Sequence, residues 1–410
     1  MTVKLPDIEA ASSILKEIIN ATPLVADDRL SAQLGSRAYL KAECLQKAGS
    51  FKIRGAFNKI SQLTPEEKSR GVIAASAGNH AQGVALAATL NGIRSVIVLP
   101  LQAPLTKIMA TKNFGGEVVL HGNTFDEAVA YSRELQAEHG YTYVHAFDDE
   151  RIIAGQGTIG LEIFEALPDI STVVVPIGGG GLISGIATAI KTLSPKTRMV
   201  GVQSASVSWV KPSLAAGHAV FADPRPTIAD GIAVKTPGAL TLPVIQQYVD
   251  EIIEVTDDEI ANGIFHCVQN SHLVVEGAGA AGVAALLANK IDITPGETVC
   301  AVLCGGNIDA NLLARVLEHV LVREGRYIML CVLVIDRPGN LASLLDAVAD
   351  AGANVIEVFH RRAMWLAPLG RVGIEMLLEV RDNDHARDVK DHLEESGYHV
   401  ERVGHGDWDK

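Results

Sequence analysis

The sequence has no cysteine pairing from which a disulfide scaffold could be built. Its five cysteines, Cys44, Cys267, Cys300, Cys304 and Cys331, are odd in number, lack C-x-x-C spacing and sit mostly in apolar runs. Reduced thiols in a cytoplasmic protein are the expectation. Positive charge is also in deficit. Lys and Arg total 35 against 48 Asp and Glu, a formal charge of -13, which argues against a nucleic-acid or anionic-lipid partner while leaving local binding of small anions open. The start MTVKLPDIEA has no apolar signal core, and the apolar runs elsewhere are too short or too broken by glycine to span a bilayer, so no membrane partner and a soluble, cytoplasmic localisation are expected. Metal motifs are missing too: His145, His266 and His272 have no H-E-x-x-H or Cys/His partner spacing, which leaves any metal site unassigned. Neither a solenoid-length repeat nor a low-complexity tract is present.

What the chain does have is length and clustered glycine. Its 410 residues are about two to three times the commonest domain size, enough for a two-lobed body and an accessory unit. Between residues 70 and 310, short β-rich segments alternate with Ala-rich helical ones: 72–77, 95–100, 117–122, 172–178, 199–204 and 298–306. Near-continuous apolar strands separated by helices imply α/β architecture with open parallel sheets covered on both faces. Thr64-Pro65-Glu66-Glu67, Thr124 with Glu127, and Thr256 with Glu259 are helix starts, each a cap residue answered three positions later. The polar stretch LVREGR at 321–326 reads as a junction. Beyond it, 327–335 reads as a strand, Pro338-Gly339-Asn340 as a turn, and the next helix presents Leu341, Leu344, Leu345 and Val348 on one face. With strands at NVIEVFH and VGIEMLLEV, a helix at DHARDVKDHLEES and a last strand at YHV, the order β-α-β-β-α-β describes a ferredoxin-like α+β module. The tail HGDWDK is expected to fray.

Four places could carry chemistry. Lys52 lies in GSFKIRGAF between Phe51 and Ile53; it is either a solvated lysine or one whose partial burial lowers its pKa toward covalent carbonyl chemistry. Ser76-Ala77-Gly78-Asn79-His80 ends a strand and opens a helix, so it is either a capped loop or a carboxylate or phosphate site made of backbone N–H groups. His80 itself suits a structural hydrogen bond. Gly178-Gly179-Gly180-Gly181-Leu182 links the strand TVVVPI to a helix without matching G-x-G-x-x-G or G-x-x-x-x-G-K-[ST]. It is a tight turn or, as its entropic cost suggests, a cradle for a monophosphate. Cys304, in Cys304-Gly305-Gly306-Asn307, is a buried hydrophobe or a neighbour of a ring nitrogen.

Taken together, SFKIRGA at 50–56, SAGNHAQGVA at 76–85, IAGQGTIGLEI at 153–163, PIGGGGLISG at 176–185, EGAGA at 276–280 and CGGN at 304–307 resemble the threonine/serine dehydratase family of fold-type II pyridoxal-phosphate enzymes. The likeness covers residues 5–320. It implies a two-lobed, tryptophan-synthase-β-like catalytic domain over 1–320, with a small lobe inserted at about 52–150. In that family the lysine matched by Lys52 binds pyridoxal 5'-phosphate covalently and Phe51 packs near it. Asn79 matches the residue bonded to the ring hydroxyl, glycines 178–181 with Leu182 match the phosphate loop, and Cys304 matches the Ser or Cys beside the pyridine nitrogen. Residues 76–80 match the loop that holds the substrate carboxylate. A neutral Cys304 would favour elimination over reprotonation or transamination. Residues 327–410 resemble the ACT regulatory fold, with Asp336-Arg337-Pro338-Gly339-Asn340 at its strand-to-helix turn.

The resemblance implies deamination of a small amino acid, L-threonine to 2-oxobutanoate and ammonia, with L-serine as a second substrate. The rival readings are a threo-3-hydroxyaspartate or serine-preferring dehydratase, and an amino-acid sensor with a degenerate enzyme body. An amino-acid effector at the ACT-like module, a homodimer or homotetramer, and a monovalent cation near 276–280 also follow from the family. Serine racemases resemble the same body, but this chain has Ala77 where they place an acid-base serine, and Ala205 and Lys211 where they place metal-binding carboxylates.

Overall fold

The computed structural model describes residues 3–223, 225–361 and 368–402; the tail HGDWDK lies outside them. The chain divides into two compact units, Met1–Asp309 and Ala310–Lys410.

The first unit has ten strands: β1 (Leu24–Ala26), β2 (Arg37–Lys41), β3 (Val72–Ala75), β4 (Ser95–Leu99), β5 (Glu117–Leu120), β6 (Thr142–Tyr143), β7 (Thr172–Pro176), β8 (Arg198–Ser204), β9 (Glu251–Val255) and β10 (Thr298–Val302). They form two open sheets, β5-β4-β3-β6 and β1-β2-β10-β7-β8-β9. Every pairing is parallel except that of β1 with β2. This is the two-lobed α/β architecture expected from the sequence. Strands β3, β4, β7 and β10 are buried along their whole length, which is why they read as unbroken apolar runs.

Four strands were not legible as such. β6 has only two residues, and β1 has three, none of them buried. β2 and β9 carry Arg37, Lys41, Glu251 and Glu254 among their apolar positions, and β9 closes the sheet as an edge. Charges on an edge strand deter pairing with other chains, and they also dilute its hydrophobic signal.

The helix starts formed as expected. Thr64 with Glu67 and Thr256 with Glu259 make reciprocal capping boxes. At Thr124 the hydroxyl accepts the Glu127 N–H, but the Glu127 carboxylate reaches back to the N–H of Asn123 instead. In the small lobe, helix Lys52–Ser61 buries Ile53, Phe57 and Ile60 against Ala74 and Ile97 of the sheet and Val84 of helix Asn79–Leu90. Full burial of such side chains contributes about 1.5–3 kcal/mol each, which pins the N-terminus of that helix at the sheet edge.

The second unit opens with helix Ala310–Arg323, so residues 321–323 finish a helix and only the following turn is a junction. Strands β11 (Tyr327–Ile335), β12 (Asn354–Arg361), β13 (Arg371–Glu379) and β14 (His399–Arg402) form an antiparallel sheet in the order β12-β13-β11-β14. Helices Asn340–Asp350 and Asn383–Glu395 lie between them in the chain, giving the β-α-β-β-α-β order. Leu344, Val348, Val389 and Leu393 are fully buried in a core with Leu330, Val332, Ile374 and Met376, while Leu341 and Leu345 pack at its margin. Gly339, at φ +93°, makes the turn into the first of these helices. Among the described residues no helix is long and apolar enough to cross a membrane.

Candidate active site

Three loops at the carboxyl ends of β3, β7 and β10 bear the residues singled out from the sequence, the usual place for a ligand in open α/β sheets. Lys52 is brought to them by backbone pairing. Gly306 N–H donates to the Gly49 carbonyl at 2.9 Å, Phe51 N–H donates to the Cys304 carbonyl at 3.2 Å, and Ser50 forms an antiparallel bridge with Gly305. A Cβ at Gly83 would lie only 3.0 Å from that of Lys52, so glycine there lets helix Asn79–Leu90 press directly on the lysine. Lys52 Nζ donates to the Ala146 carbonyl at 3.1 Å and stands 4.9 Å from the centre of the buried Phe51 ring. Burial lowers the amine from 10.5 to about 8, against the opposing pull of Cys304 and Glu276. Such an amine is partly free base near neutral pH, as nucleophilic and proton-abstracting lysines must be.

The glycine loop turns β7 into helix Gly181–Leu193 with Gly180 at φ +92° and with no side chain capping the helix. Its neighbours leave no room for side chains. A Cβ at Gly179 would sit 2.3 Å from the Phe147 ring, one at Gly180 2.9 Å from Thr241, and one at Gly181 2.9 Å from the Phe147 backbone. Leu182 is buried at the base of the helix. An uncapped helix start lined by glycine presents N–H groups and the positive end of the helix dipole to an anion.

The 76–80 loop has the same construction. Ser76 N–H is taken by the Val98 carbonyl, Ser76 Oγ accepts from Gly78 N–H, and helix Asn79–Leu90 starts without a side-chain cap. Ala77 packs against the small-lobe core. The imidazole of His80 is buried and donates from Nε2 to the Val144 carbonyl at 2.8 Å; burial, then the charge of Lys52, push it down to about 3. His80 is therefore neutral, its Nε2 spent on the Val144 carbonyl.

Asn79 reaches across from this loop to β10. Its Nδ2 donates to Glu276 Oε1 at 2.6 Å, and its Oδ1 accepts from Asn307 Nδ2 at 2.8 Å. Glu276 precedes helix Gly277–Leu287 and is buried; burial and the nearby Asp230 push its carboxyl up to about 7, opposed by the Asn79 bond and by Lys107 and Lys52. Cys304 is buried, and burial followed by the charge of Glu276 raises its thiol well above the usual value. It stays a neutral thiol. Glu276, Ala146 and Phe147 were not singled out from the sequence as site residues, because no local motif marks them and each acts through a partner distant in the chain. Among the described residues no group of three or more His, Cys, Asp or Glu could hold a metal ion.

These groups suit a cofactor carrying an aldehyde, a phosphate and a weakly basic ring. A desolvated lysine, an uncapped glycine cradle that no Cβ could share, and a neutral thiol meet its three ends.

A family model described as "Pyridoxal-phosphate dependent enzyme" matches residues 15–305. The L-threonine ammonia-lyase of Thermotoga maritima is 49% identical over 402 residues, covering 98% of this chain and 100% of that protein. The processed form of threonine deaminase isoform 2 from Solanum lycopersicum superposes with a TM-score of 0.73 at 40% identity, over 77% of this chain and 91% of that one. Maize serine racemase gives a TM-score of 0.73 at 34% identity, over 79% of this chain and 100% of its own.

Proposed function

The chain belongs to the family of pyridoxal-phosphate-dependent enzymes, and from that premise we propose that it is a threonine ammonia-lyase, converting L-threonine to 2-oxobutanoate and ammonia, with L-serine to pyruvate as a second reaction. The observation that carries this reading is the lysine at the meeting point of the glycine cradle and the 76–80 loop, with its amine lowered to about 8. Support beyond the site comes from the threonine ammonia-lyase of Thermotoga maritima, whose likeness covers 98% of this chain.

Bound pyridoxal phosphate supplies an electron sink for the negative charge left on the α-carbon when its proton departs. The rest falls to the protein. Lys52 holds the cofactor, and its free amine takes the α-proton, which its lowered pKa permits near neutral pH. The N–H groups of 178–182 hold the phosphate and, within the 76–80 loop, those of Ala77, Asn79 and His80 the substrate carboxylate, since Ser76 and Gly78 spend theirs inside the fold. Asn79 supplies an amide donor for the ring hydroxyl. Cys304, a neutral thiol, leaves the ring nitrogen without a strong proton donor, which favours loss of the β-hydroxyl over reprotonation of the α-carbon. The proton that Lys52 has taken passes to the departing β-hydroxyl, which leaves as water, and hydrolysis of the released enamine gives the oxo acid and ammonia.

A racemase reading is raised by the maize enzyme, but Ala77 has no proton to exchange at the position where racemases carry serine. A hydroxyaspartate preference would call for a second cation to meet the distal carboxylate, and the site residues described above provide none besides Lys52. Discrimination of threonine from serine by one methyl is worth about 1–3 kcal/mol, so both should turn over. Steady-state assays with threonine, serine and threo-3-hydroxyaspartate in parallel test the assignment; a higher kcat/KM for hydroxyaspartate defeats it.

For the second unit, we infer an amino-acid effector site at the Asp336–Asn340 turn and assembly into a homodimer or homotetramer. The ferredoxin-like topology and the uncapped helix start at Gly339 support this. Sedimentation and threonine kinetics with and without isoleucine or valine test it. A monomer indifferent to both amino acids is the contrary result.

A further inference from the structure

We propose that His145 and Asp148 are positioning residues for the Lys52 amine and the glycine loop, acting through a strap of four residues, His145 to Asp148, that leads from the end of β6 in the small sheet toward helix Glu150–Ala166. The inference rests on Lys52 being the cofactor-bearing lysine.

Each residue of the strap has one task. His145 Nδ1 accepts the N–H groups of Phe147 at 3.3 Å and Asp148 at 2.8 Å, which closes the strap into a tight turn. A ring nitrogen can accept only when it carries no proton, so the ring must be neutral with its hydrogen on Nε2. Burial keeps it so, pushing the ring below its usual pKa; Asp148 and Asp149 pull upward while Arg133 and Lys52 push down. Ala146, at the crest of that turn, turns its carbonyl to Lys52 Nζ. Phe147 lies against Gly179 and Gly181 so closely that neither could carry a Cβ. Asp148 ties the end of the strap to the large lobe, its two oxygens accepting Ala239 N–H at 3.0 Å and Leu240 N–H at 2.8 Å.

The lysine and the phosphate cradle are thus set by one short segment, clamped at one end by an imidazole and at the other by a carboxylate. Lys52 itself faces Cys304 and Glu276, with His80 and His145 within reach of its charge. Among the described residues the hydrogen-bond acceptor that Nζ meets is the strap carbonyl of Ala146. A free amine that must return to the same carbon in every turnover needs a fixed resting place, and misplacement by about 1 Å can cost about a hundredfold. On its outer side the strap borders a hollow lined by Asp148, Asp149, Arg151 and Leu240. Water entering there can take over the 239 and 240 amides, so loss of the Asp148 contacts disturbs geometry more than folding.

The test is equilibrium dialysis of the cofactor-free protein against pyridoxal phosphate, with kinetics of the loaded enzyme and thermal melting alongside. His145→Ala removes the acceptor; cofactor Kd should rise about tenfold, and kcat should fall about tenfold to a hundredfold with KM within about threefold. His145→Asn, whose amide oxygen can accept the same two N–H groups, should restore both values to within about threefold. Asp148→Asn keeps the volume but surrenders one acceptor and should lie between. Variants that melt lower yet bind cofactor and turn over like the parent overturn the proposal, as does His145→Asn no better than His145→Ala. Should His145→Ala not fold, Asp148→Asn decides alone. Lys52→Ala separates the two claims: if it still binds cofactor covalently the underlying reading fails, whereas its failure beside unaffected strap variants sinks the strap alone.

Discussion

One added methyl at residue 179 tests how closely strap and cradle are fitted. A Cβ there would lie 2.3 Å from Cδ1 and Cε1 of Phe147 and 2.4 Å from its Cγ, whereas carbon atoms settle at about 3.5–4.0 Å. The ring would have to retreat by more than about 1 Å. Its backbone is held by the His145 ring on one side and by the Asp148 anchor on the other, so part of the strain passes to the loop. Overpacking of this kind costs about 1–3 kcal/mol. If the loop carries that strain into the bound state, the cofactor binds about fivefold to 150-fold more weakly in Gly179→Ala. Equilibrium dialysis with pyridoxal phosphate reads this directly. Phe147→Ala supplies the companion variant: with the ring gone the methyl has space, and the double variant should bind no more weakly than Phe147→Ala alone. The reasoning is refuted if Gly179→Ala binds as the parent does, or if the two losses simply add.

Capture of cofactor by the cofactor-free protein should accelerate as pH rises through about 8, the value to which burial lowers Lys52, because the neutral amine is the nucleophile. Stopped-flow absorbance measures this, with a flat profile as the contrary result; Glu276, pushed up to about 7 by burial, should add a second, lower inflection that Glu276→Gln removes. Stability should follow the same sign. The folded pKa of Lys52 lies below its usual 10.5, so the unfolded chain binds more protons between about 8 and 10.5. Its contribution is complete above that window and lost as pH falls through it. Urea unfolding of cofactor-free parent and Lys52→Met should therefore diverge between these pH values and run parallel below them. Elsewhere, Arg54 is fully buried and forms ion pairs with Glu43 at 2.7 Å and Glu162 at 2.5 Å. Arg54→Leu leaves the wholly buried Glu43 unpaired and should cost about 3–5 kcal/mol in urea unfolding, and a loss below about 1 kcal/mol would show that the pair is replaceable.

The parts of the site that were legible are those whose chemistry is local. A helix that starts in glycine at a strand end can be read from neighbouring letters, and so can the alternation that gives the ferredoxin-like unit. Cys304 was ambiguous in sequence because a buried thiol serves a core and a cofactor equally well; folding sets it within reach of the charges of Lys52 and Glu276, which no neighbouring letter announces. The strap was invisible for the opposite reason. His145 looked like an ordinary histidine, and its importance comes from two N–H groups it accepts and from Lys52, 93 positions earlier, held by the next residue. Glu276 was legible only as part of EGAGA, because its burial and its bond to Asn79 are products of folding. Strands β1, β2, β6 and β9 were lost through shortness or charge, not through any unusual conformation.

The central claim is that Lys52 bears the cofactor. Borohydride reduction of the loaded enzyme, which makes the carbon–nitrogen link permanent, followed by proteolysis and mass spectrometry, locates that link to a single lysine. The phosphopyridoxyl group should appear on the peptide containing Lys52 and vanish in Lys52→Ala. A label on Lys59 or any other lysine, or none at all in a protein that deaminates threonine, contradicts the account.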